Sequence, residues 1–253
     1  MKTMLFLKTM IAAAATVLQA AAADKVLVYT RNHVTNGKGY VHDNIAASVA
    51  AVKELCAEKG IGCDASEDPA VFTAANLANY KAVIFSNSNN EAFATPEQSK
   101  ALTAYVEGGG GFVGIHSACG SERKNPDFHR VIGGTFVWHT PNKPFKVVVA
   151  DKNHPSTAHL PAVWTWKDEG YLCKLQPGLR VLLEMDATSI TSPPRAKWPF
   201  KFEGDRYPLA WCHTVGKGRS FYTALGHDIA CYSDPAYRKH LQGGIFWVLG
   251  ISE

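Results

Sequence analysis

The N-terminal half of the chain alternates short apolar runs with segments of helical periodicity, and this alternation restricts the fold more than any other feature. The runs Lys25–Thr30, Ala82–Ser86 and Phe112–Ile115 are almost wholly apolar, as is typical of parallel strands covered on both faces. Between them, His42–Lys59 carries apolar side chains at helical spacing, and Thr95–Pro96 is a helix start that predicts a helix to about residue 107. We therefore predict an α/β fold with a doubly wound parallel sheet.

The C-terminal half departs from this alternation before it returns to it. Strands are expected at Lys146–Ala150 and Arg180–Met185, and a hairpin-like pair at Leu209–His213 and Arg219–Ala224. A closing helix is expected at Pro235–Leu249. Because no repeat or low-complexity linker divides the chain, residues 24–253 are expected to form one domain with a decorated middle.

The first 23 residues have the features of an export signal. Lys2 and Lys8 flank a short apolar opening, Met10–Leu18 is almost wholly apolar, and Ala21–Ala23 is a small-residue cleavage site. A membrane anchor needs about 20 unbroken apolar residues, and Lys8 interrupts the run. We expect a cleaved signal peptide and a periplasmic or secreted protein.

Composition excludes two classes of partner. The net charge is only +4, and the basic residues are dispersed among acidic ones, so no nucleic-acid partner is expected. No segment after residue 23 approaches the length of a membrane span. The oligomeric state is open.

Six cysteines leave two alternatives open. Export would permit disulfides, and Cys56 and Cys63 flank a helix end where they could pair. Because none has the C-x-x-C spacing of a zinc or redox site, buried free thiols are equally compatible with the pattern.

Two histidines follow buried strands at positions where open α/β folds place their active sites. His116 lies in the sequence Gly114–Ala118, directly after a strand, and its small neighbours permit a sharp turn. His227 follows the strand around Phe221 in the same manner. Since the carboxyl ends of parallel strands meet at one edge, the two imidazoles are expected to act as acid and base or to share a metal. A core histidine is the alternative at each position.

Other candidates surround this pair. Asp168 and Glu169 lie beside Trp164, Trp166 and Tyr171, a combination that carbohydrate sites use, although an acidic turn near core tryptophans explains it equally well. Further histidines in loops or at helix and strand ends are His42, His139, His154 and His213.

Taken together, these motifs resemble the trehalose-utilisation (ThuA-like) family, within the class I glutamine amidotransferase-like superfamily. The matching stretches are Val28–Thr30, Tyr40–Ile45, Gly109–Ala118, Gly133–Phe136, His154–Pro161, Asp168–Tyr171, Pro208–His213, Phe221–His227, Tyr232–Pro235 and His240–Ile245. The resemblance implies a flavodoxin-like, three-layer fold with a parallel central sheet.

Three departures from related patterns bear on the chemistry. Glutamine amidotransferases carry cysteine where this chain has His116, so glutaminase activity is not implied. Their catalytic histidine matches His227, and the acidic residue that orients it matches Ile229, with Asp228 adjacent. Gly170 stands where family members more usually have tryptophan.

The resemblance also implies chemistry on keto-sugar glycosides or disaccharides. A C3 ketone acidifies the neighbouring C–H bond, so an imidazole base can remove the proton, and elimination, hydrolysis or isomerisation can follow. The expected catalytic residues are His116, His227 and Asp168, and the expected substrate-binding residues are His42, His139, His154, Glu169, Tyr171 and His213. No cofactor is certain. A divalent metal ion would polarise the ketone, and its candidate ligands are His116, His139 and His227.

Two other functions remain as alternatives. In a noncatalytic periplasmic sugar-binding or docking module, a groove lined by Trp138, Trp164, Trp166 and Trp198 would hold a sugar without proton transfer. A histidine-rich metal-binding protein would have no small-molecule substrate.

Overall fold

A computed structural model describes residues 24–37, 39–199 and 204–251, and they form a nine-stranded sheet with a two-stranded sheet beside it. The strands are β1 (Lys25–Tyr29), β2 (Gly62–Ser66), β3 (Ala82–Ser86), β4 (Gly111–Ile115), β5 (Gly134–His139), β6 (Lys143–Val149), β7 (Val163–Asp168), β8 (Tyr171–Leu175), β9 (Arg180–Asp186), β10 (Arg206–Val215) and β11 (Gly218–Thr223). The α-helices are α1 (Ile45–Ala57), α2 (Ala74–Leu77), α3 (Pro96–Glu107), α4 (Pro126–Ile132) and α5 (Pro235–Leu249).

One half of the large sheet is parallel, with strand order β2-β1-β3-β4-β11. Helices α1 and α5 pack on one face of these strands, and α3 and α4 pack on the other. Both faces are therefore covered, which explains why β3 and β4 are buried along their whole length. The predicted three-layer α/β fold with a parallel central sheet is confirmed.

The other half of the sheet is antiparallel and continues through β10, β9, β6 and β7. The predicted hairpin of β10 and β11 joins the two halves. Strands β5 and β8 pair in the small sheet. The sequence analysis did not predict α4, β5, β7 or β8, which are short and lie within or next to the decorated middle.

Helix α3 shows how local sequence fixes an element in this fold. The Gln98 side chain accepts hydrogen bonds from the backbone N–H groups of Ala94 and Thr95, at 2.8 and 3.2 Å, and Pro96 occupies the first turn. This capping box begins the helix at the predicted residue.

No disulfide links the cysteines of this protein, all of which lie among the described residues. All six cysteines are free thiols, so the possible pairing of Cys56 with Cys63 is not formed. Among the residues that the structure describes, no helix is long and apolar enough to span a membrane. The expected signal peptide, residues 1–23, lies outside the described residues.

The buried His240 of α5 predicts a measurable dependence of stability on pH. Its Nδ1–H donates to the Ser156 carbonyl at 2.9 Å, and its Nε2 accepts from the Thr223 hydroxyl at 3.1 Å. Burial, with a smaller contribution from His159 and His154, lowers the pKa of His240 from 6.5 to about 3. Below pH 6.5 the His240 side chain becomes protonated in the unfolded chain but stays neutral in the folded protein. The free energy of unfolding therefore decreases as the pH falls from 6.5 towards 3.

We expect urea denaturation to show that wild type loses about 2 kcal/mol more stability than His240→Gln between pH 7 and pH 5. Glutamine does not titrate, so the comparison isolates this one group from the other histidines. Parallel pH profiles for the two proteins would contradict the prediction.

Candidate functional site

The carboxyl ends of β4 and β11 lie side by side and bring His116 and His227 together. The strands are parallel neighbours, with Ile115 opposite Thr223. His116 directly follows β4, and His227 lies in the segment after β11. Their ring centroids are 5.3 Å apart, and the ring planes meet at 74°. The sequence placed both histidines at this edge, and the geometry agrees, while their catalytic role stays a prediction.

His116 is held in an unusual backbone conformation. Its φ of +48° lies in the left-handed region, which residues other than glycine adopt only where the surrounding structure fixes them. The side chain is completely buried, and its Nδ1–H donates to the Ala224 carbonyl at 2.7 Å. Nε2 then carries the lone pair and has no hydrogen-bond partner. Burial, together with the nearby His42 and His227, holds the pKa of His116 well below its usual value.

Asp228 orients the His227 ring. In glutamine amidotransferases the orienting acidic residue matches Ile229 of this chain, and here the adjacent Asp228 takes that place. The Asp228 carboxylate lies 3.2 Å from His227 Nδ1, while Ile229 is exposed. Asn142 Nδ2 and Lys167 Nζ hold the same carboxylate at 2.6 and 2.7 Å. With Nδ1–H directed at Asp228, His227 presents its Nε2 lone pair to the opposite side.

Asp168, for which a catalytic role stays a prediction, is enclosed by protein groups. Its carboxylate is fully buried and accepts four N–H groups, which are the backbone amides of Gly226, His227 and Glu169 and the indole of Trp166, at 2.7 to 3.2 Å. Burial raises the pKa of Asp168 to about 6, although these hydrogen bonds oppose the shift. All of its bonds run to neighbouring protein groups, so Asp168 is a positioning residue for the segment that carries His227.

The adjacent Glu169 supplies the carboxylate of the site. Its oxygens lie 3.1 Å from His139 Nδ1, 3.6 Å from His227 Nε2 and 3.8 Å from His116 Nε2. Burial raises the pKa of Glu169, and His139 and His227 oppose this effect. The Glu169 side chain is 14% exposed and that of His227 is 18% exposed. Solvent therefore reaches the carboxylate from the side of these two residues.

His42, just before α1, completes the group. Its ring centroid is 4.9 Å from that of His116 and 5.5 Å from that of His227. Burial, followed by His227 and His139, lowers the pKa of His42 to about 4. We refer to His42, His116, His139, His227 and Glu169 as the histidine cluster. Several imidazoles around one carboxylate can exchange protons with a bound molecule or ligate a metal ion.

Tyr171 forms one wall of the cluster, and Gly170 explains the missing tryptophan. The Tyr171 ring lies 4.2 Å from the His116 ring, and its hydroxyl lies 3.4 Å from His42 Nε2. A Cβ atom at Gly170 would approach the sulfur of Met185 to 2.5 Å. A larger side chain would therefore collide with the core, so glycine is the residue that fits here.

The structure does not bring His154 and His213 to the site, contrary to the expectation. His154 is buried between Phe221 and Trp247, with ring centroids 6.2 and 5.1 Å away. His213 Nε2 donates to the Arg130 carbonyl at 3.0 Å, at the level of the amino end of β4, whereas the cluster lies at its carboxyl end. Residue type and a place in stretches that carry the family resemblance were the signals, and neither reports where a side chain points.

Four contributing residues received no role from the sequence. Asn142 and Lys167 hold Asp228, as described above, and Asn44 Nδ2 donates to the carbonyls of Gly226 and His227 at 2.7 and 2.8 Å. The Tyr40 ring is 61% exposed and lies 4.7 Å from the His42 ring. Tyr40 and Asn44 lie in a stretch that carries the family resemblance, which was the available signal, whereas nothing marked Asn142 or Lys167.

An open cavity of about 1050 Å³ lies next to the loop that carries Tyr40. Its lining includes Gly39, Asn90, Glu91, Glu122 and Arg123, but no residue of the histidine cluster. Asn90 Nδ2 donates to the Tyr40 carbonyl at 3.3 Å, and the Tyr40 ring packs on His42, so this loop connects the cavity with the histidine cluster.

Comparison with known proteins gives consistent family and fold relationships. The model of the trehalose-utilisation (ThuA) family matches residues 25–248. A putative ThuA-like protein from Bacteroides uniformis is similar, with 25% identity, a TM-score of 0.72 and 93% of this chain and 95% of that one covered. One from Parabacteroides merdae has 21% identity, a TM-score of 0.68 and coverage of 90% and 91%.

A β-galactosidase from Bacillus circulans sp. alkalophilus shares the fold. It has 16% identity and a TM-score of 0.56, and the match covers 93% of this chain but 32% of the galactosidase. Among curated proteins, none matches this sequence.

Proposed function

Because the chain belongs to the trehalose-utilisation (ThuA) family, we propose that it is an enzyme that acts on keto-sugar glycosides by acid–base catalysis at the histidine cluster. One observation carries the proposal. The Glu169 carboxylate is faced by nitrogen atoms of His116, His139 and His227 within 3.8 Å, at a position that solvent reaches. Imidazole and carboxyl groups, which can accept and donate protons, are thereby concentrated where a substrate can meet them.

His116 is the proposed base. Its Nδ1–H is committed to the Ala224 carbonyl, so the unpartnered Nε2 is the atom that accepts a proton. Abstraction of the C–H proton next to the C3 ketone places the electron pair in an enolate. Return of this pair expels the glycosidic oxygen, which takes a proton relayed from the Glu169 carboxyl through His227 Nε2. The C–H and glycosidic C–O bonds break, a C=C double bond forms, and the base and the leaving oxygen each gain a proton, so no oxidant is needed.

The surroundings of the cluster support a carbohydrate as the substrate. The exposed Tyr40 ring, which packs on His42, can stack on a sugar face. The adjacent cavity of about 1050 Å³, with Glu91, Glu122 and Asn90 in its lining, has room and hydrogen-bonding groups for a further sugar unit.

The packing of the tryptophans gives little support to the noncatalytic alternative. Trp164 packs on Trp166 at 4.4 Å, and Trp138 packs on Trp198 at 5.4 Å. Because Trp166 and Trp198 are buried, they are not available to stack on a sugar. A groove that uses all four indole rings is therefore a weaker explanation than the histidine cluster.

A panel of 3-keto-disaccharides tests the function directly. We expect mass spectrometry to show release of one sugar and formation of an unsaturated keto-sugar, its hydration product or an isomer. Folded wild-type protein that binds these sugars and converts none of them would support the noncatalytic module and overturn the proposal.

Glu169→Gln is expected to lower turnover about a hundredfold, because glutamine keeps the shape of the side chain but cannot exchange a proton. The matched control is Glu54→Gln on α1, which removes an exposed carboxylate that pairs with Arg238 at 3.0 Å. Initial rates on the same substrate should be unchanged in the control. Equal rates for Glu169→Gln and wild type would remove Glu169 from the catalytic group.

We further propose that the enzyme works outside the cytoplasm, since residues 1–23 have the composition of an export signal. N-terminal sequencing of protein recovered from the producing cells should then begin at Asp24. Mature protein that retains Met1 would contradict export by cleavage.

A further inference from the structure

We infer that His42, His116, His227 and Glu169 form a binding site for one divalent transition-metal ion. The inference rests on the proposed function and refines it. With an ion bound, His116 and His227 would be ligands through Nε2, and proton exchange with the substrate would pass to His139 at the Glu169 carboxylate. Each of the four residues offers one ligand atom, and these atoms all lie within 4.8 Å of one another.

The spacing suits an ion at the centre of the group. Four ligand atoms bonded tetrahedrally at roughly 2.0–2.2 Å lie about 3.4 Å apart. Glu169 Oε2 and His116 Nε2 are already 3.8 Å apart, and Glu169 Oε1 and His227 Nε2 are 3.6 Å apart. Small side-chain adjustments would therefore bring the set to bonding distance.

An unpartnered nitrogen atom points independently to a ligand. His116 Nε2 is buried and has no hydrogen-bond partner, although Nδ1 on the same ring is well bonded to the Ala224 carbonyl. Metal-binding histidines typically donate the second ring N–H to a carbonyl or carboxylate in this way. His42 Nδ1 is likewise buried without a partner. A metal ion would satisfy lone pairs that the protein itself leaves unused.

The outer contacts are those that metal sites use. Asp228 accepts from His227 Nδ1–H and is itself held by Asn142 and Lys167, which fixes the ring with Nε2 towards Glu169. His139, outside the set of four, contacts the Glu169 carboxylate at 3.1 Å. The metal set therefore differs from the sequence prediction, since His42 and Glu169 replace His139.

The ligand types decide the kind of ion. Three imidazoles with one carboxylate suit Zn²⁺, Co²⁺, Mn²⁺ or Fe²⁺, whereas Mg²⁺ and Ca²⁺ prefer oxygen ligands. The side of the group at Glu169 and His227 is open to solvent, so a substrate oxygen can reach the ion. An ion there would polarise the C3 ketone and stabilise the enolate.

The test is calorimetric titration of chelator-treated, full-length protein with CoCl₂ and with ZnCl₂, in the absence of any sugar. We expect one equivalent to bind, and His116→Asn and His42→Asn to weaken the affinity at least a hundredfold. His33→Asn is the matched control, because His33 pairs with Glu91 outside the cluster. Cys56→Ser removes the thiol pair with Cys63 as a competing site and should leave the binding unchanged.

Absence of stoichiometric binding to the folded wild type would overturn the metal site, as would equal affinity in the two cluster variants. Should either variant fail to fold, an increase in wild-type melting temperature with added CoCl₂ that is unaffected by Cys56→Ser gives the same decision. Binding without conversion of any keto-glycoside would overturn the proposed function but not the metal site. Full turnover by protein freed of metal would show that the reaction does not use the ion, and it would leave the proposed function standing.

Discussion

His116→Asn is expected to lower kcat/KM for the keto-glycoside about a thousandfold, the range that loss of a positioned general base gives. Stability should not fall with activity. Asparagine adopts positive φ more readily than most residues, so it relieves the strain of the +48° conformation. Its amide N–H can also replace the hydrogen bond from Nδ1 to the Ala224 carbonyl. What it lacks is Nε2, the atom that faces Glu169.

Initial rates and urea denaturation on the same protein samples separate the two effects. His213→Asn is the matched control, because its ring bonds the Arg130 carbonyl at the opposite end of the sheet, and it should retain wild-type turnover. Turnover by His116→Asn within tenfold of wild type would remove His116 from the chemistry. A fall in stability of several kcal/mol would instead identify it as a core residue.

The sequence predicts the parallel half of the fold because burial on both faces leaves a simple pattern. Strand β3 and helix α3 begin and end where they were expected, since unbroken apolar runs and a capping box are local signals. The convergence of His116 and His227 follows from the same rule, as both come after adjacent parallel strands.

The middle of the chain resists prediction because its strands are only half-buried and pair with distant partners. Strand β5 pairs with β8, and β7 pairs with β6, so neither strand is specified by its own sequence alone. Strand β7 does alternate exposed and less exposed residues up to Asp168, with Trp164 and Trp166 on the inner face. The sequence analysis did not use this period-two pattern.

Sequence could not show, for a related reason, that Glu169 rather than Asp168 faces the histidines. Neighbouring residues at a strand end project to opposite sides, so Asp168 continues the buried face of β7 with Trp166 while Glu169 turns towards the histidines. Sequence shows two adjacent carboxylates but not the tertiary contacts that decide which one faces the site. Gly170 and Asp228 likewise acquire their meaning only from Met185 and His227, which pack against them.

Asp168→Asn is expected to reduce the free energy of unfolding by about 3–5 kcal/mol, as the breaking of a buried charged network does. Each carboxylate oxygen accepts two N–H groups, Oδ1 from Glu169 and His227, and Oδ2 from Trp166 and Gly226. Asparagine replaces one of these oxygens by an NH₂ group. In either orientation of the amide, two buried donors then face another donor.

Asp228→Asn is the matched control for stability in urea denaturation. Its carboxylate is partly exposed and pairs with a lysine side chain that is 60% exposed, so its loss should cost less than about 1 kcal/mol.

Asp168→Asn should also weaken the affinity for CoCl₂ when measured at a temperature where the variant is folded, because the Gly226–His227 backbone loses its hydrogen bonds to the Asp168 carboxylate. A cost below 1 kcal/mol with unchanged affinity would mean that the four hydrogen bonds to Asp168 neither stabilise the fold nor position His227.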